Sequence, residues 1–121
     1  MFSWAIDKAK NLAQVIFAGE VTIEEGRLRS QEIRTQQWNL QSGFTLLSDF
    51  SLLERMDPQC ARDIEGIMDF FDQHGIARVV RIIPDPKKDI GFGIMSLFHY
   101  RKGVRIVTCE TLQEAERVLG S

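Results

Sequence analysis

The sequence predicts an α/β fold, a mostly parallel sheet that follows an N-terminal β-hairpin. Three observations lead there. Short apolar or alternating runs near 2–6, 12–18, 44–47, 76–83 and 104–109 read as strands. Segments carrying helix caps or a helical apolar stripe separate the later runs. Gly43, Gly75 and Gly103 close the connections before three of them. Strands separated by helices run parallel and join by right-handed crossovers, which gives the order ββαβαβαβα.

Each element has its own local reason. Phe2, Trp4 and Ile6 alternate with smaller or polar residues, as in a half-buried strand. Lys8-Ala9-Lys10-Asn11 reads as the hairpin turn, and Leu12 to Ala18 as the second strand. Thr22 followed by Glu25 has the spacing of a capping box, so a helix is expected from there to about Leu40. Its apolar face (Ile23, Leu28, Ile33, Trp38) is thin, and Gln31, Gln36, Gln37 and Gln41 make it a solvated helix. A strand is expected over Phe44-Thr45-Leu46-Leu47, ending by Asp49. Asp57-Pro58 is a helix start: the carboxylate accepts from unpaired N–H groups, and proline loses nothing at the first helical position. Ala61, Ile64, Ile67, Met68 and Phe71 then form a core-facing stripe, with Arg62, Asp63, Glu65, Asp69 and Asp72 on the other side. Ile76 to Ile83 is apolar enough for a strand buried on both faces. Asp89 can cap a further helix to about Lys102, Val104 to Cys109 is the last strand, and Thr111 with Glu114 repeats the capping box.

Composition bounds the function. The 121 residues, 44% hydrophobic and 26% charged, suit one domain over 1–121 that folds without a metal or disulfide framework. Fifteen Lys+Arg against seventeen Asp+Glu argue against a dedicated nucleic-acid binder, whose affinity rests on neutralised phosphates. No apolar run reaches the eighteen residues of a membrane span, and the acidic Asp7 breaks any leader-like stretch, so a cytoplasmic location is expected. The two histidines, His74 and His99, lack zinc spacing, and no metal or cofactor is expected. Cys60 and Cys109 follow strands on either side of the 76–83 strand, roughly 9–10 Å apart by strand spacing. That is beyond disulfide reach, and both are expected to be reduced core residues.

The stretch Asp49-Phe50-Ser51-Leu52-Leu53-Glu54-Arg55-Met56-Asp57, a strand ending in Asp with a second Asp opening a helix, is similar to the signature of STAS domains. These are the domains of anti-sigma-factor antagonists and sulfate-transporter tails. Arg81-Ile82-Ile83-Pro84-Asp85-Pro86-Lys87-Lys88-Asp89-Ile90-Gly91-Phe92, with Ser96-Leu97-Phe98-His99-Tyr100 after it, resembles a bacterial STAS-like, SpoIIAA-like group without a defined activity. The resemblance implies a non-catalytic protein-interaction or regulatory module. It also implies an Asp followed by a serine or threonine pair that carries a switchable phosphate. Asp57 matches the acid, but Pro58 and Gln59 occupy the hydroxyl positions. A switch that adds about −2 charge at a helix start is therefore missing there. Ser48 and Ser51 are the nearby hydroxyls that can substitute, although a serine at a strand end is usually a turn former.

Four further features are candidate sites. The Pro84-Asp85-Pro86-Lys87-Lys88-Asp89 loop, with Asp57, lies where ligands gather in open α/β sheets, at the carboxyl ends of the strands. Lys87 and Lys88 can hold a small anionic or lipid-like ligand there; the plainer reading is a stiff turn with solvated lysines and Asp89 as a cap. Arg81 interrupts an apolar strand, so it either pairs with Asp49 on the neighbouring strand or lies on an uncovered face. The apolar residues of the 89–102 helix surround it, and Phe92, Met95, Phe98 and Tyr100 are expected in a homodimer or partner interface. His99 has no second ligand or base at helical spacing. With no convergent acid, base and nucleophile, an enzyme is not expected.

Overall fold

The computed structural model describes residues 1–83 and 103–120. They contain strands β1 (Phe2–Asp7), β2 (Leu12–Val21), β3 (Thr45–Met56), β4 (Arg78–Ile82) and β5 (Arg105–Cys109). The helices are α1 (Ile23–Thr35), α2 (Ala61–Gln73), preceded by a 3-10 turn at Pro58–Cys60, and α3 (Leu112–Leu119). The sheet order is β1-β2-β3-β4-β5, with β1 antiparallel to β2 and the other neighbours parallel. The expected α/β class, hairpin and parallel body are thus present. The expected helix from Asp89 lies outside the described residues.

Pleating divides the sheet into two faces. The front, under α1 and α2, carries Phe2, Val15, Phe17, Leu46, Phe50 and Val79, packed against Ile33, Ile64, Ile67, Met68 and Phe71. Phe17 stacks on Phe50 at 5.1 Å between ring centroids and meets Phe2 at 4.5 Å. The back carries Leu47, Val80, Ile82 and Cys109 against Ala115 of α3. Because β4 feeds both cores through alternate residues, Val79 and Val80 are both fully buried, as an all-apolar strand requires.

Three boundaries differ from expectation. Helix α1 ends at Thr35 rather than near Leu40, because Gln36 is extended. Trp38 leaves the helical path to stand among Phe44, Phe70, Phe71 and His74, with ring centroids 4.9–5.9 Å away. Strand β3 does not end by Asp49 but runs on to Met56. Its register against β2 slips between Ile16 and Ala18 and again between Gly19 and Glu20. At the first slip Asp49 Oδ1 accepts from Ser51 N (2.9 Å) and Ser51 Oγ (2.6 Å), a side-chain clamp across the bulge. The helix expected directly at Pro58 begins as a 3-10 turn, and the α-helix proper starts three residues later.

Helices α1 and α2 approach closely through small residues. A Cβ at Gly26 would lie 3.0 Å from Cys60 Sγ, and one at Gly66 would lie 3.5 Å from the Arg34 guanidinium. Between these contacts Ser30 Oγ donates to Asp63 O at 3.2 Å. Gly75, at φ +85°, ends α2 in the left-handed region, and a side chain there would collide with Ser42. Its carbonyl accepts from Gly43 N at 2.7 Å, which ties the loop before β3 to the loop before β4.

The packing leaves three buried side-chain polar atoms without a hydrogen-bond partner among the described residues: Gln36 Nε2, Trp38 Nε1 and Ser48 Oγ. Ser48, 2% exposed on the front of β3, has a hydroxyl with no hydrogen-bond partner among the described residues. It borders a void of about 10 Å³ walled by Phe2, Phe17, Ile64 and Met68. Ser48→Ala is expected to raise stability by about 1 kcal/mol, relieving an orphaned hydroxyl, seen as a higher urea midpoint at unchanged slope. Gly26→Ala gains roughly 1 kcal/mol of helix propensity but presses on Cys60. It is expected to be more favourable in a Cys60→Ala background than in the natural chain. A double-mutant cycle should show non-additivity of about 0.5 kcal/mol or more.

Candidate functional site

Parallel neighbours bring the carboxyl ends of β2 and β3 together, so the starts of α1 and α2 share one corner. Asp57 N donates to Val21 O at 3.1 Å, which joins the two exits. Thr22 caps α1, its Oγ1 accepting from Glu25 N at 3.2 Å as the capping-box spacing predicts. Asp57 Oδ1 accepts from Gln59 N (2.9 Å), and Asp57 O accepts from Cys60 N (2.9 Å). Pro58 takes the first helical position, where no amide is needed. Pro58, Gln59 and Arg62 are exposed; Asp57 is half-buried.

The reactive groups of this corner are committed to structure. Cys60 is buried, and its thiol donates to Thr22 O at 3.5 Å. Burial first, then the carboxylates of Asp57, Asp63 and Glu25, push the thiol up from 9.0 to about 11, so it stays protonated at neutral pH. No group of three or more His, Cys, Asp or Glu side chains able to hold a metal occurs among the described residues. The two nearby serine hydroxyls have different settings. Ser48 is buried beneath α2, and the Ser51 hydroxyl is held by Asp49.

The expected Asp49–Arg81 pair does not form. The register sets Asp49 opposite Ile82 and Arg81 opposite Ser48, one residue out of phase. Adjacent strand positions point to opposite faces, so Asp49 lies on the back and Arg81 on the front. Arg81 Nε donates instead to Thr108 Oγ1 on β5 at 2.9 Å. Of the candidate ligand loop only Asp57 is described; Pro84, Asp85, Lys87, Lys88 and Asp89 lie outside the described residues. So do the candidate interface residues Phe92, Met95, Phe98 and Tyr100.

Both cysteines are free and buried, as expected, but on different sides of the sheet: Cys60 belongs to the front core and Cys109 to the back. His74 serves the end of α2, with Nδ1 2.7 Å from Phe70 O and its ring 4.2 Å from that of Phe70. Two positioning residues had no distinctive sequence signal. Asn11, at φ 50°, accepts from Gln41 N through Oδ1 (2.8 Å) and from Thr45 N through its carbonyl (3.2 Å), pinning the hairpin turn to the start of β3. Glu32 receives both Trp4 Nε1 (3.1 Å) and Arg29 (2.6 Å), which ties α1 to β1.

Solved structures share this fold. The anti-sigma factor antagonist SpoIIAA in its unphosphorylated form superposes with a TM-score of 0.59 at 17% identity, each chain covered over 100% of its length. A candidate anti-sigma factor antagonist from Thermotoga maritima superposes with a TM-score of 0.61 at 19% identity, over 100% of this chain and 96% of that one. No family profile and no curated protein matches the sequence. The fold is STAS-like, of the SpoIIAA kind.

The raised Cys60 thiol has a consequence in alkali. An unfolded thiol ionises near 9.0 and the native one only near about 11. The unfolded state therefore binds fewer protons in this window, and stability should fall as pH rises through it. Denaturant titrations between pH 8 and 11 are expected to show this loss, and Cys60→Ala to lessen it, with Cys109, whose thiol is also pushed up by burial, keeping a share.

Proposed function

We propose that this chain is a non-catalytic regulatory module that binds a protein partner through the corner where α1 and α2 begin. The reading is carried by one observation: the Asp57-capped helix start presents exposed Pro58, Gln59 and Arg62, while the Cys60 thiol beneath it is buried and bonded to Thr22 O. The likeness in fold to anti-sigma factor antagonists supports the same reading.

Pro58 and Gln59 give the module its particular character. A phosphate at this helix start would bring about two negative charges beside Asp57, Asp63 and Glu25. Neither side chain accepts one, so binding at this corner is constitutive with respect to that modification. Control then comes from the abundance or state of the partner.

Immobilised full-length chain is expected to retain one protein reproducibly from a bacterial lysate. A Gln59→Arg, Arg62→Glu variant should weaken that complex ~10-fold or more, the effect of altering central interface residues, with its circular dichroism unchanged. Mass spectrometry of the retained bait should show no phosphate on 57–60. Equal retention by the variant, or no reproducible partner for the natural chain, would exclude this surface as the docking site.

A further inference from the structure

At the opposite end of the sheet, where the parallel strands begin, a pocket of about 580 Å³ opens between the back face and the last turn of α3. Lys10, Leu12, Thr45, Arg78, Glu116 and Leu119 line it. Its volume falls in the range of small-molecule sites. Leu12, Thr45 and Arg78 stand level with one another across three strands, so one row of the sheet builds its floor.

The charges around this pocket are unmatched. Among the described residues the ion pairs lie elsewhere, at Met1–Glu25 and Arg29–Glu32. Arg78, half-buried, donates through Nε to Thr45 Oγ1 (3.2 Å) and through Nη1 to Val118 O (3.4 Å), both neutral acceptors. A guanidinium carries five N–H donors, so most of the fork remains available while the two bonds hold its plane. Lys10, from the hairpin turn, adds a second positive charge, and Leu12 and Leu119 supply an apolar wall. A fixed guanidinium with free donors is matched best by a bidentate carboxylate.

The geometry points to a binding site for a small organic carboxylate with a hydrocarbon tail, its carboxylate on Arg78 and Lys10 and its tail along Leu12 and Leu119. Glu116, on the α3 side, favours within that class a molecule that also bears an ammonium group, such as a free amino acid. This site is independent of the Asp57 corner and lies at the other end of the strands.

Amide NMR titration of the full chain with sodium hexanoate, leucine and hexylamine tests it. Saturable shifts at Lys10, Thr45 and Gly120 are expected with the carboxylates and not with hexylamine. Tighter binding of leucine identifies an amino-acid source, and tighter binding of hexanoate a simple acid. Lys10→Ala, at an exposed turn, should weaken binding severalfold. Arg78→Lys, which keeps the charge and loses the fork, should weaken it ~10-fold, the scale of a lost charge-assisted hydrogen bond. No saturable shift with either carboxylate up to ~10 mM, the weak end of meaningful affinity, overturns the site. So does equal response to hexylamine, or unaltered binding in both variants.

Discussion

The close approach of α1 to α2 is the contact on which the remaining architecture hangs. Gly26 admits the Cys60 sulfur, Ser30 bonds the Asp63 carbonyl, and Gly66 leaves room for Arg34. A side chain at 26 would press on the Cys60 sulfur, whereas a Cβ at 66 would meet the Arg34 guanidinium at ordinary contact distance. Spacing of four along α1 (26, 30, 34) keeps these contacts on one stripe. That stripe is short of large apolar groups. The helix pair is therefore held by closeness and by polar bonds, and Ile33 alone is the fully buried aliphatic anchor of α1. The same contact sets the position of the Asp57 corner. Cys60 is at once the last residue of the 3-10 turn and the group that fills the space over Gly26. Its burial makes it a spacer, and its high proton affinity follows from that placement.

Much of the fold was legible in the sequence because local signals and tertiary demands agree. The threonine caps at Thr22 and Thr111, each accepting from the glutamate amide three residues on, and the Asp57 cap ahead of Pro58 form as their spacing implies. The stripe Ile64, Ile67, Met68, Phe71 faces the core. The apolar run 76–83 yields a strand with buried residues on both sides. What was not legible depended on distant partners. Nothing local told that Trp38 would abandon a helical path, since its ring is claimed by Phe44, Phe70 and Phe71 from other elements. The Asp49–Arg81 pairing failed for a subtler reason. Strand adjacency was right, but one residue of register decides the face, and register is set by the whole ladder.

The site was partly legible in the same sense. Asp57 could be read as a cap and as the counterpart of the STAS acid, because both rest on neighbours in sequence. The pocket at Arg78 could not, since Lys10, Thr45, Arg78 and Glu116 meet only after the sheet has ordered its strands and α3 has packed behind them. In both places neighbouring elements do the positioning: the Thr45 hydroxyl and the Val118 carbonyl orient the guanidinium, as the Val21 and Thr22 carbonyls orient the start of α2.

The two register slips of β3 reach beyond local geometry. They leave the buried residues Phe50, Leu53 and Met56 three apart, where a regular strand would bury every second residue. To any method that reads periodicity, this half of the strand mimics a helix. To any method that aligns sequences, each slip acts as a one-residue insertion placed where gaps are penalised most. Aligned without those two gaps to a strand that lacks the bulges, everything from Asp57 onward is displaced by two positions. Three-dimensional superposition carries no such penalty, so the likeness in fold survives across this strand where the letters fall out of step.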